Sequence, residues 1–145
     1  MSHDDLRLVA LSSGHDHLRA DAALVRGRLG KADHAGARRC FERFSAELES
    51  HMADEENGVF ATLAAMEEFA PTIARLRAEH DRARGAIVRA AAEEDDGAWA
   101  TIVVSLLQGY ALHELEEEYD LFPAAEVALP LPAGLVPPAG TGQIV

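Results

Sequence analysis

Two segments of this chain, HMADEENGVF at residues 51–60 and HELEEEYDLF at residues 113–122, carry the same polar pattern. Each places a glutamate four residues after a histidine and closes on a phenylalanine. In a helix, that spacing puts both polar side chains on one face. The residues before them make this the buried face. Phe41, Phe44 and Leu48 lead to His51, and Ile102, Leu106 and Tyr110 lead to His113, at the three-and-four spacing of an amphipathic helix. Few folds let a chain bury a histidine and a carboxylate twice over.

Two other stretches follow the same rule. Leu8 and Leu11 lead to His15, then to Leu18, Ala22, Val25 and Leu29; Ile73 and Leu76 lead to His80, then to Ala83, Ile87 and Ala91. The spacing predicts helices from about Asp4 to Leu29, Ala35 to Phe69, Pro71 to Ala92 and Ala98 to Phe122. GKADHAG separates the first two and EEDDG the last two. Pro71 falls in a first turn, where proline is tolerated, and Gly58 sits inside the second helix at a cost of about 1 kcal/mol relative to alanine. The expected fold is all-α, an up-down-up-down four-helix bundle over residues 1–125 with a Pro-rich tail over 126–145. Pro123 is expected to kink or end the last helix. From there on the chain holds five of its six prolines and one charged residue, Glu126. LPLPAGLVPPAGTGQIV is too apolar for a solvated linker, so it is expected either to pack along the bundle or a neighbouring subunit, or to fray.

At 145 residues the chain is expected to form one domain. Its net charge of -12 argues against nucleic acid and against an anionic membrane surface. Cys40 is the one cysteine, which excludes an internal disulfide and fits a reducing compartment. MSHDDLRLVA lacks a signal-peptide core and no apolar run is long enough to span a bilayer. A cytosolic protein, monomeric or weakly dimeric, is the expectation.

A single histidine on an apolar stripe is ordinarily a satisfied core residue. Four helices each carrying one is a different matter, because a stripe covers about two positions in seven. The glutamates add weight: a buried carboxylate costs several kcal/mol unless it is paired or neutralised, and no lysine or arginine lies on the four stripes. Depth agrees. His15 lies about 14 residues before the first turn, roughly 21 Å at the helical rise, and His51 and Glu55 lie about 16–20 residues after it, roughly 24–30 Å. His80, His113 and Glu117 repeat these offsets about the second turn. Two antiparallel hairpins would bring all six side chains to one level as a metal site.

Six donors exceed the needs of one tetrahedral zinc. They suit two ions, each with two imidazoles, bridged by Glu55 and Glu117. Mixed nitrogen and oxygen ligation favours iron or manganese. HDHLR at His15 resembles HDRAR at His80, so the chain reads as a repeat.

The pattern H…HxxxE…H…HxxxE, closed by LFP, resembles the hemerythrin-like (HHE cation-binding) family over about Asp4 to Phe122. The resemblance implies a four-helix bundle holding two iron ions (Fe2+/Fe3+), oxo- or hydroxo-bridged, on His15, His51, Glu55, His80, His113 and Glu117. It selects Glu55 over Asp54 and Glu56, and Glu117 over Glu116 and Glu118; the stripes favour the same residues less firmly. The chain departs from the oxygen-carrying hemerythrins. Arg84 stands where those have a fifth histidine, and Glu117 where they have an aspartate. One iron would therefore lack a ligand that carriers use, which speaks against simple oxygen carriage and leaves room for peroxide or solvent.

His3, His17 and His34 read as surface residues, and Cys40 as a packed thiol. Tyr110, one turn before His113, is either core filling or a hydrogen-bond or electron donor to a bound ligand. Glu47 and Asp120 are candidates to orient an imidazole, with a solvated helix face the first expectation for both. The expected partners are dioxygen, hydrogen peroxide or another small diatomic ligand. The leading functional expectation is a di-iron oxidoreductase, either one that breaks down hydrogen peroxide in a catalase-like way or an oxidase. The alternatives are oxygen binding, oxygen or redox sensing, or iron storage without turnover, and then a structural metal site such as zinc. A sensor usually carries its output in an attached domain, which mildly favours the enzyme.

Overall fold

A computed structural model describes residues 3–129, with side chains from Leu11 onward except Ser12. The helices are α1 (His3–Gly30), α2 (His34–Asn57), α3 (Val59–Ala64), α4 (Ala70–Ala92), α5 (Asp96–Glu116), a π-helical turn (Glu117–Leu121) and α6 (Phe122–Ala128). The described residues contain no strand. The long helices pack α1 on α2, α2 on α4, α4 on α5 and α5 on α1, closing a ring consistent with a four-helix bundle. No helix among the described residues is long and apolar enough to cross a membrane.

Both tight turns end in an aspartate cap. Asp33 accepts from the Gly36 N–H at 3.0 Å and Asp95 from the Ala98 N–H at 2.8 Å, satisfying donors that a helix start leaves open. Arg38 of α2 donates to the Glu93 carbonyl at 3.0 Å and lies over the Trp99 ring, tying the second turn to the first hairpin.

The apolar residues form two clusters. One, built around Leu18, Val25, Phe44, Leu48, Trp99 and Val103, fills the end of the bundle with the two tight turns. The other, built around Leu11, Phe60, Leu63, Ile73, Leu76 and Phe122, fills the opposite end. The buried histidines and glutamates lie between them.

The structure departs from the sequence expectations in several places. The second helix is not continuous to Phe69: it breaks at Gly58, where ψ is -104°, and resumes as the short α3. The fourth helix begins at Asp96 and does not stop at Phe122. After the π turn it runs on as α6, with Pro123 in the first turn, to Ala128, past the 125/126 boundary. Trp99 and Val103 are buried and Ile102 only half-buried, so the stripe of this helix is offset near its start. In α4, Ala86 and Ala90 face inward whereas Ala91 is exposed. The Pro-rich stretch from residue 130, with its expected packing, lies outside the described residues, as do the Leu8 and His3 side chains.

The two irregularities share a geometric cause. Phe60 follows Glu55 by five residues, and Phe122 follows Glu117 by five. In an unbroken α-helix five residues swing a side chain about 140° away from its reference. The break at Gly58 removes that offset in one segment. In the other, the Phe122 N–H reaches the Glu117 carbonyl, the i→i+5 bond of a π turn. Both phenylalanines are thereby buried together with their glutamates.

Candidate metal centre

His15 (α1), His51 and Glu55 (α2), His80 (α4), His113 (α5) and Glu117 (π turn) are all buried. Side-chain atoms of His15, His51, Glu55 and Glu117 lie within 4.8 Å of one another, and so do those of Glu55, His80, His113 and Glu117. Both glutamates belong to both groups. The Nε2 atoms face the carboxylates: His15 is 3.1 Å and His113 3.3 Å from Glu117 Oε1, while His51 is 3.2 Å and His80 3.5 Å from Glu55 Oε1.

These approaches are close, yet none of the four is a hydrogen bond; Nε2 of His80 and of His113 instead lie 3.1 Å from each other. Nε2 of His15 and of His51, and all four oxygens of Glu55 and Glu117, are buried with no hydrogen-bond partner. Buried polar atoms are nearly always satisfied, because an orphan costs about 1–3 kcal/mol and a charged one more. Six orphans turned toward one another are a donor set for cations: imidazole nitrogen and carboxylate oxygen, in two overlapping groups. The residues present therefore fit a pair of ions.

Burial and crowding set the proton states. Burial, then the nearby Glu55 charge, pushes the Glu117 carboxyl well above its ordinary range. Glu55 is held below it: burial acts upward, but Glu117, His51 and His80 more than offset it. The two carboxylates are thus pushed in opposite directions by their shared burial and mutual charge. Burial, reinforced by facing His51, takes His15 down to about 4, and burial likewise lowers His113. Neutral imidazoles are the metal-ready form.

The outward ring nitrogens have partners. Nδ1 of His15 lies 3.0 Å from Glu118 Oε1, that of His80 2.8 Å from Glu56 Oε2, and that of His113 2.8 Å from Glu79 Oε1. A carboxylate there holds the proton on Nδ1 and turns the Nε2 lone pair inward. His51 instead packs its ring against Gly14, where a Cβ would stand 2.6 Å from Nδ1. Aromatic rings cover the histidines. Phe122 stacks on His15, Phe60 on His80 and Tyr110 on His113, at centroid distances of 5.8, 5.1 and 5.1 Å.

Sequence reasoning missed the orienting carboxylates. Glu47 and Asp120 are exposed. The neighbouring Asp21 carboxylate raises the Glu47 pKa. The residues that do the orienting are Glu56, Glu79 and Glu118. Glu56 and Glu118 each directly follow an inward glutamate, and that shared place in the repeat was the available signal. Glu114 was also missed; burial raises its carboxyl to about 8 although Arg19 stands 3.1 Å away. Tyr110 is buried with an unpartnered hydroxyl whose pKa burial pushes well up. His17 is exposed, His34 is half-buried at the start of α2, and Cys40 packs half-buried against the first core cluster. Arg84 points away from the donors, toward Glu56, Glu49 and Asp81.

A ring of four long helices around a buried histidine–carboxylate cluster defines an all-helical protein with a candidate metal centre. Comparison with protein families narrows the class. The model of the hemerythrin HHE cation binding domain matches residues 8–125, and the chain belongs to that family. No curated protein and no solved structure matched the chain.

Proposed function

We propose that the centre holds two iron ions and that the protein reacts with dioxygen or hydrogen peroxide, with peroxide breakdown as its activity. The observation that carries this reading is the set of four unpartnered carboxylate oxygens on Glu55 and Glu117, buried among four imidazoles. His15 and His51 would hold one ion, His80 and His113 the other, and both glutamates would serve the pair. A bound iron pair would supply two electrons at one place to reduce one hydrogen peroxide to water, and a second hydrogen peroxide, oxidised to dioxygen, would return those two electrons and two protons.

The chain's own residues prepare that chemistry. Glu118, Glu56 and Glu79 fix the tautomers of three imidazoles. Phe60, Phe122 and Tyr110 exclude bulk water from the donor layer and so strengthen every electrostatic contact within it. Tyr110 holds a proton at its buried hydroxyl beside His113. A cavity of about 640 Å³, lined by Gly14, His17, Glu47 and Asp54 among others, reaches His51 and gives a small oxidant a way in.

The test is to load the protein with iron, record its optical spectrum and follow peroxide consumption. Charge-transfer bands of a ferric pair together with turnover support the proposal. A reversible oxygen spectrum without turnover would replace it with oxygen binding. Loaded protein that shows neither sinks both.

A further inference from the structure

Each orienting carboxylate is itself gripped by an arginine. Arg84 clasps Glu56 with both ends of its fork, Nη2 to Oε1 at 2.7 Å and Nη1 to Oε2 at 2.9 Å, and Glu56 Oε2 is the atom facing His80 Nδ1. Arg19 donates to Glu118 Oε1 at 3.1 Å, the same oxygen that faces His15 Nδ1. Arg75 donates to Glu79 at 3.3 Å, but its main partner is Glu116, so this third grip is looser.

The first two grips are one device used twice. Arg19 follows His15 by four residues, and Arg84 follows His80 by four. Glu118 follows Glu117, and Glu56 follows Glu55. HxxxR on one helix therefore meets EE on another: α4 against α2 in one case, α1 against the π turn in the other. The helical spacing of four puts the arginine on the same face as its histidine, one turn along. It reaches the carboxylate from the outer side while the imidazole meets it from the inner side.

We propose that Arg84 and Arg19 are positioning residues of the metal centre: each fixes the carboxylate that orients His80 or His15, and each acts on its own half. The proposal rests on the reading that the centre binds cations. A carboxylate is free to rotate about its terminal torsion. The Arg84 fork locks that rotation in Glu56, because its paired donors match the two oxygens in a single plane; Arg19 restrains Glu118 through one oxygen only. Without its arginine, Glu56 or Glu118 is drawn to solvent and the imidazole loses its fixed tautomer. His80 belongs to one donor group and His15 to the other, so the two losses should be separable. The geometry also ranks them. Arg84 spends two hydrogen bonds on Glu56, whereas Arg19 divides one nitrogen between Glu118 and Glu114.

The test is Co(II) titration of the wild-type chain, Arg84→Gln, Arg19→Gln and Arg84→Lys, with proton NMR of the paramagnetically shifted Nδ1–H signals. The wild type should bind two Co(II). Arg84→Gln should weaken one ion roughly tenfold, and the signal of His80 alone should shift and exchange faster with water. Arg19→Gln should do the same, less strongly, to His15. Arg84→Lys should recover part of the affinity, since it restores the charge without the fork. Helix content should stay at the wild-type level throughout. Unchanged affinities and signals in both glutamine variants would overturn the proposal while leaving the metal reading intact. Loss of helix content and of both ions together would also overturn it, by showing a merely structural role. A wild-type chain that binds no Co(II) would overturn the metal reading, and the proposal with it.

Discussion

The segments HMADEENGVF and HELEEEYDLF face one spatial problem and solve it differently. Each must turn a histidine, a glutamate and then a phenylalanine inward, and the last step of five residues fits no unbroken α-helix. The first segment breaks at Gly58 and restarts as α3. The second keeps its helix and widens one turn into a π turn before Pro123. The results coincide: Phe60 covers His80 and Phe122 covers His15, each ring lying over a histidine of another helix. What the repeat preserves is the placement of side chains around the centre. The backbone route to that placement is free to vary.

The sharpest way to break this equivalence is through the glutamates. Glu55 and Glu117 each belong to both donor groups, so Glu55→Ala and Glu117→Ala should each abolish retention of both ions. His15→Ala should release one. Metal content after gel filtration reads this directly, and an alanine variant at either glutamate that still keeps two ions would end the pairing. The phenylalanines come next. Phe60 and Phe122 are both buried, and replacing either with alanine should cost about 3–5 kcal/mol in denaturant unfolding. Phe60→Ala should expose His80, and Phe122→Ala should expose His15.

A smaller effect should follow at Gly14. A Cβ there must displace the His51 ring, so Gly14→Ala should cost about 1–3 kcal/mol and loosen the ion on His15 and His51. Gly109, with open space around its Cβ position, is the control: Gly109→Ala should gain about 0.5–1 kcal/mol. The smallest effect concerns the matched caps. The Gly36 N–H holds the Asp33 carboxyl below its ordinary pKa. Its stabilisation is therefore present above the unfolded pKa and lost as pH falls through the lower folded value. Asp33→Ala should melt earlier than wild type at neutral pH, and the gap between the two should close in acid.

Much of this was legible because a polar residue on an apolar period stands out. His15, His51, His80 and His113 interrupt leucine-type stripes, and helical rise alone brings them to one depth. The orienting carboxylates were not legible in that way. Glu56 and Glu118 sit inside DEE and EEE runs, where nothing in the period separates a solvated glutamate from one facing an imidazole. Glu79 likewise lies just off the stripe of α4. The π turn left no mark because it adds no unusual residue before Pro123, and the proline read as a kink or an ending. In the structure it is simply the first turn of the next helix. Trp99 and Val103 were passed over because Ile102 fits the three-and-four count equally well; only packing against Phe41 and its neighbours decides which face is buried.

The most direct test of the whole account is a count of metal. The chain should be loaded anaerobically with ferrous iron, desalted, and assayed for iron per polypeptide. Two tightly held irons per chain, falling to none when Glu55 or Glu117 is replaced, is the expected result. A fully helical chain that retains no iron would contradict the account, since these buried imidazoles and carboxylates would then not be an iron site.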